Sequence, residues 1–203
     1  MTRQRSLGFI DFTDMDGSGN PDAWRDDPAG GKLVIHKSKP CHETHPELDI
    51  GGGILLGGNC RDHERHADVD LYVALDYGMA HPKFEVGKTP ARCIYYPIEN
   101  MKTPHRPDKF AALIDHIVGE LAKGARVHVG CIGGHGRTGL VIGAVVARLG
   151  IAEDADAIGW VRQNYCQRAI ETAGQENFLV VHFGAKMPPA KISTGVDKRT
   201  KGR

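Results

Sequence analysis

Cys131 and Arg137 stand six residues apart, with Ile132, Gly133, Gly134, His135 and Gly136 between them and Thr138 and Gly139 following. A thiolate is a strong nucleophile, and an arginine fork binds two oxygens of one phosphoryl group. Glycines 133, 134 and 136 remove Cβ atoms that would keep the backbone from closing around an anion. In such a turn successive N–H groups can point inward, and a helix that follows adds its positive N-terminal end. The loop residues Ile132, Gly133, Gly134, His135 and Gly136 are therefore read as a phosphate cradle. A cysteine at its mouth sits in positive potential, which favours the thiolate.

That geometry needs a strand before the loop and a helix after it. Arg126-Val-His-Val129 reads as a buried strand, and Thr138 to Leu149 as an apolar helix closed by Gly150. Three more strands are expected at Gly53–Gly57, Val69–Leu75 and Arg92–Tyr96. Phe110, Leu113, Ile114, Ile117, Val118 and Leu121 recur at helical spacing, so Asp108 to Lys123 is expected as a helix, capped by Asp108 and ended at Gly124. Further helices are expected over Ala155–Tyr165 and Gln175–Phe183. Strands alternating with helices imply an α/β fold with a central, mostly parallel sheet flanked by helices.

The 203 residues suit one domain. With 40% hydrophobic and 25% charged residues the composition is that of a globular protein, and a net charge of +1 gives no general pull toward nucleic acid or anionic lipid. No apolar run approaches the roughly 18 residues of a membrane span. Met1-Thr-Arg-Gln-Arg-Ser leads into polar sequence, and five cysteines (41, 60, 93, 131 and 166) form no disulfide-like framework, so a cytoplasmic location with reduced thiols is expected. Residues 1–40 read as a loop-rich extension, 41–186 as the functional domain, and 187–203 as a disordered basic tail.

Cys131-x5-Arg137-Thr138-Gly139 resembles the signature loop of the protein-tyrosine and dual-specificity phosphatases. Two other segments support the resemblance. Tyr96-Pro-Ile-Glu-Asn100 with Pro104, about thirty residues upstream, is similar to that family's acid-bearing loop. Trp160-Val-Arg162 and Gln175-Glu-Asn-Phe-Leu179 are similar to its downstream arginine and Gln-x-x-Phe-Leu segment. The resemblance implies a protein-tyrosine-phosphatase-like fold and hydrolysis of phosphomonoesters through a cysteinyl-phosphate. Cys131 would be nucleophile, Arg137 the clamp, Thr138 a donor to the leaving sulfur, and Gln175 a positioner of the hydrolytic water. The implied substrate is a phosphorylated protein, carrying phosphotyrosine and phosphoserine or phosphothreonine, or a small phosphomonoester. A nucleotide or RNA 5′-phosphate is the alternative within the enzyme class, with nucleic acid not favoured as a partner. A catalytically weak phosphate-binding protein is the alternative outside it. No cofactor is implied.

The chain departs from that pattern twice. The family's histidine before the cysteine is replaced by Gly130, and His128 two residues earlier either supports the loop or is a plain strand residue. The position aligned with the general acid carries Asn100, which has no proton to give; neighbouring Glu99 is the assigned acid, and Asp108 is read as a helix cap. His135 either contacts substrate or fills the loop's outer side. No lysine lies between Cys131 and Arg137, which disfavours phosphoinositide-type loops. Cys41-His42-x2-His45 and Cys60-x2-His63-x2-His66 offer soft ligands, but their spacing matches no zinc motif and no metal is expected. Asp14-x-Asp16-x-Ser18-Gly19 opens like a calcium loop, yet Arg25 occupies its twelfth position, so turn chemistry explains it. Cys60 and Cys93 are expected to be inert thiols rather than disulfide partners of Cys131.

Overall fold

The computed structural model describes residues 9–11, 45–60, 69–76 and 92–188. Among these, six strands form one sheet: β1 (Phe9–Asp11), β2 (Leu48–Ile50), β3 (Gly53–Asn59), β4 (Leu71–Ala74), β5 (Arg92–Tyr95) and β6 (Arg126–Cys131). Their order is β1-β5-β4-β6-β3-β2, parallel throughout except for the β2–β3 hairpin. The helices are α1 (Pro107–Leu121), α2 (Gly136–Leu149), α3 (Ala157–Asn164) and α4 (Ala173–Phe183). No described helix is long and apolar enough to cross a membrane.

Period-two alternation along the strands divides the buried residues between two faces. Leu55, Leu71, Val73, Ile94, Val127 and Val129 join side chains from all four helices in one core. The residues between them, Leu56, Tyr72, Ala74 and Tyr95, form a second cluster with Cys60 and Val69. The α1 stripe is buried as expected: Phe110, Leu113, Ile114, Ile117 and Leu121 are fully enclosed. Phe110 meets the rings of Tyr96, Phe178 and Phe183, tying α1 to α4.

The helix boundaries differ modestly from expectation. α1 starts at Pro107, a residue whose fixed φ and missing N–H suit a first turn, so Arg106 takes the cap position and Asp108 falls inside the helix. Asp108 is instead chelated by Arg106, Nε to Oδ1 at 3.0 Å and Nη2 to Oδ2 at 2.8 Å. That ion pair, together with nearby backbone N–H groups, holds its carboxyl below the usual range. α2 ends at Gly150 in the left-handed conformation (φ 64°), as its sequence implied. β2 was not anticipated, and neither was β1, which lies inside the stretch read as loop. The tail from residue 189, the calcium-like segment, Cys41, His42, His63 and His66 lie outside the described residues.

Candidate active site

The glycine-rich loop of residues 132–136 sits where β6 ends and α2 begins. β6 is flanked by β3 and β4, with Asn59 in register with Cys131 and Ala74 with Gly130. Cys131 is buried, and its thiol receives a hydrogen bond from the Thr138 hydroxyl at 3.1 Å. Thr138 Oγ1 in turn accepts from the Cys131 N–H at 3.1 Å, so one side chain fixes both the backbone and the sulfur of Cys131. Gly134 turns the loop with φ 67°, and a Cβ there would lie 2.8 Å from the Gly58 carbonyl carbon. Only glycine satisfies both conditions. The Tyr165 hydroxyl closes the far side, donating to the Gly134 carbonyl at 2.6 Å.

Arg137 is 3% exposed. Its Nη1 donates to Asp76 Oδ2 at 2.9 Å and to the Ile98 carbonyl at 2.9 Å, with a longer contact to the Leu75 carbonyl at 3.4 Å. Leu75 also bonds the Gly130 carbonyl through its N–H at 2.8 Å, which places the guanidinium beside the strand end that carries Cys131. Nη2 reaches Asn100 Oδ1 at 3.3 Å, and Nε has no partner among the described residues. The guanidinium is thus anchored along one edge, with donors left for an anion.

The structure brings Asn100, not Glu99, into contact with Arg137. Gln175 is fully buried and holds three segments together: its Oε1 accepts from the N–H groups of Glu171 (2.9 Å) and Thr172 (3.3 Å), completing the α4 capping box, while its Nε2 donates to the Lys102 carbonyl at 3.2 Å. A Cβ on Gly136 would lie 3.2 Å from the Gln175 amide and 2.4 Å from Glu171 Oε2. Both side chains therefore border the end of the loop. Arg162 braces this segment by donating to the carbonyls of Ala169 (3.2 Å) and Ile170 (2.9 Å) and pairing with Glu176 at 2.6 Å. Ile170 is held at φ 59°, a strained value for a β-branched residue that persists because its surroundings fix it.

A Cβ on Gly130 would lie 3.0 Å from the Tyr72 hydroxyl and 3.1 Å from the Cys60 Cα. The space that a histidine would need is filled by Tyr72, whose hydroxyl is kept protonated by burial first and then by the neighbouring thiols of Cys60, Cys93 and Cys131. His128 lies on the opposite face of β6 from Cys131, buried with its ring 5.5 Å from that of Tyr72, beside the second cluster. His135 is buried and packs edge-on to His45 at 5.4 Å, while Ile132 is 45% exposed at the loop's rim. Cys60, Cys93, Cys131 and Cys166 form no disulfide with one another, and burial pushes Cys93 up to about 11. Sequence reasoning missed Asp76 and Glu171. Asp76 lies two residues past the end of β4, and a carboxylate just past a strand's carboxyl end, beside a glycine loop, was the available signal.

Comparison with known proteins places this geometry. No family model matches the chain. The uncharacterized protein MJ0215 of Methanocaldococcus jannaschii is 35% identical over 117 residues, 57% of this chain and 71% of that protein. The chain belongs to the MJ0215 family. A second uncharacterized protein of the same organism, MJECL20, is 38% identical over 94 residues, of which the chain spans 61% of the length. Among solved structures, Tk-PTP in its active form superposes with a TM-score of 0.55 at 21% identity, covering 68% of this chain and 95% of that one. Human DUSP28 gives 0.55 at 17% identity, covering 68% of this chain and 96% of that one. A mouse putative dual specificity phosphatase, complexed with zinc tungstate, gives 0.55 at 14%, covering 76% and 93%. The MJ0215-type chain described here therefore has the fold of the tyrosine and dual-specificity phosphatases, with the mostly parallel sheet and flanking helices that its sequence implied.

Proposed function

We propose that this protein is a phosphomonoester hydrolase working through a cysteinyl-phosphate. Cys131 Sγ attacks phosphorus, the bond to the ester oxygen breaks, and that oxygen leaves with a proton. Water then attacks the phosphocysteine, the S–P bond breaks, and inorganic phosphate departs while the thiolate is restored. Loop amides from Ile132 to Gly136 and the Arg137 guanidinium bind the phosphoryl oxygens as charge develops on them. Thr138 stabilises the sulfur as it leaves. The observation that carries the reading is the Thr138 hydroxyl at 3.1 Å from Cys131 Sγ, one residue from an arginine buried and anchored at the same strand ends.

Residues 41–186 form the proposed catalytic domain, and a reduced, cytoplasmic setting is proposed because no disulfide joins the cysteines among the described residues. Phosphorylated protein, tyrosine first, is the proposed substrate. Glu99 is the proposed acid and Gln175 the proposed water-positioning group; in the latter, the buried amide at the end of the loop supports the assignment. Asn100 beside Arg137 favours a second reading, a weak catalyst that mainly captures phosphate esters, because an amide replaces the carboxyl where the leaving group needs a proton.

Turnover of an aryl phosphate, then of phosphopeptides, nucleotides and inositol phosphates, tests both readings. Hydrolysis lost in Cys131→Ser with ester binding retained supports the enzyme; tight binding without turnover in the wild type supports capture. A pH–rate profile assigns the acid: an acid-dependent limb that disappears in Glu99→Gln supports Glu99, and one that disappears only in Glu171→Gln transfers the role.

A further inference from the structure

His45, His135 and Cys166 come from three separate stretches of chain: the lead into β2, the phosphate loop, and the turn that follows α3. Their ligating atoms, two imidazole nitrogens and one sulfur, all lie within 4.8 Å of one another. We propose that these three residues form a zinc-type metal site behind the phosphate loop. Ligands at about 2.0–2.1 Å (nitrogen) and 2.3 Å (sulfur) around a tetrahedral ion stand roughly 3.3–3.8 Å apart. The observed spread needs only small side-chain rotations to reach that arrangement. Two imidazoles and a thiolate are the borderline-soft set that zinc and cobalt prefer over calcium or magnesium.

The surroundings suit such an ion. His45 and His135 are buried, 5% and 6% exposed, while Cys166 is half-buried and leaves a route for the ion and for a water as fourth ligand. Tyr165, next to Cys166, packs its ring 4.3 Å from that of His45 and donates its hydroxyl to the Gly134 carbonyl. The wall around the site is thereby rigid and joined to the loop. A Cβ at Gly57 would lie 2.6 Å from that hydroxyl, so β3 is shaped to admit the tyrosine. An ion held here would pin His135, hence the loop between Cys131 and Arg137, to the sheet's far edge and to α3. It would also add positive charge behind a loop built for anions.

Binding of metal is measured directly on the full chain, so the site stands or falls apart from phosphatase activity. The purified protein, stripped with chelator, is titrated with Co²⁺ and competed with Zn²⁺. Stoichiometric uptake is expected, with visible bands of a tetrahedral ion and a near-ultraviolet thiolate-to-cobalt band. Cys166→Ser should abolish the near-ultraviolet band, and Cys166→Ser and His45→Ala should each weaken Zn²⁺ binding by more than about 100-fold. Cys93→Ser should leave both unchanged. Zn²⁺ should raise the melting temperature of the wild type and of Cys93→Ser but not of Cys166→Ser. If a variant is unstable without metal, the conservative His135→Gln replaces it in the same titration. The proposal is overturned by absence of stoichiometric uptake, or by cobalt bands and affinity that survive both Cys166→Ser and His45→Ala.

Discussion

Asp76 is the carboxylate that pairs with the buried Arg137 among the described residues, and its removal has a calculable consequence. In Asp76→Ala the guanidinium keeps the Ile98 carbonyl at 2.9 Å but loses its counter-charge in a site only 3% exposed. An uncompensated buried charge of this kind costs about 3–5 kcal/mol. Asp76→Asn keeps an acceptor at the same place and converts a charge-assisted bond to a neutral one, a loss of about 1 kcal/mol. At roughly 2–4 °C per kcal/mol for a chain of this size, the asparagine variant should melt about 2–4 °C lower and the alanine variant about 6 °C lower or more. If Asp76 holds the clamp in its working position, the same loss appears in the transition state. Turnover of an aryl phosphate should then fall about fivefold in Asp76→Asn, at 1.4 kcal/mol per factor of ten, and by about 100-fold or more in Asp76→Ala. The assay is kcat and KM beside calorimetric melting of the same preparations. Unchanged melting in both variants, or a rise in kcat/KM when the carboxylate is gone, would show that Asp76 competes with phosphate for Arg137 rather than positioning it.

Three further outcomes follow from the packing. Phe110→Ala empties a fully buried position among Tyr96, Phe178 and Phe183 and should destabilise by about 3–5 kcal/mol, read from denaturant unfolding, with the far-ultraviolet spectrum retained. Gly130→His, which restores the residue common at that place in the phosphatases, should lower stability and activity together, because its Cβ would meet Tyr72 and Cys60 at 3.0 and 3.1 Å; gain of activity would refute this. Glu120, bonded by Arg92 and secondarily by Lys123, has its carboxyl lowered from the ordinary 4.5 to about 2. A lowered folded-state value means the stabilisation is complete above about pH 4.5 and is lost as pH falls toward 2, so Glu120→Gln should be less stable than the wild type at pH 7, with the gap in denaturant unfolding closing across that window; a gap that stays constant from pH 7 to pH 2 would refute the pairing.

Much of this was legible from residues alone, because local spacing carries it. The α1 stripe from Phe110 to Leu121 and the order strand, glycine loop, helix around Cys131 depend on neighbours within a few turns of chain. β2 escaped notice because three residues are too few to display alternation; its identity comes from pairing Leu48 with Leu55 and Ile50 with Gly53. Asp76 and Glu171 were invisible for a different reason. Each reaches the site through packing between distant segments: Asp76 to Arg137 across 61 positions, and Glu171 to Gly136 through the braced turn before α4. The same holds for His45, which the sequence grouped with Cys41 and His42 but the fold sets against His135 and Cys166. Glycine at 130 in place of histidine likewise depends on a distant residue, Tyr72, whose hydroxyl would lie 3.0 Å from a Cβ there.

The central claim is that Cys131 carries the phosphoryl group between two chemical steps. Rapid acid quenching during turnover of an aryl phosphate, followed by peptide mass spectrometry, measures it. A phosphoryl adduct is expected on the peptide containing Cys131, accumulating further in Thr138→Val, whose sulfur lacks its 3.1 Å donor, and absent from Cys131→Ser. Turnover by Cys131→Ser at the wild-type rate, or an adduct on another residue, would contradict it.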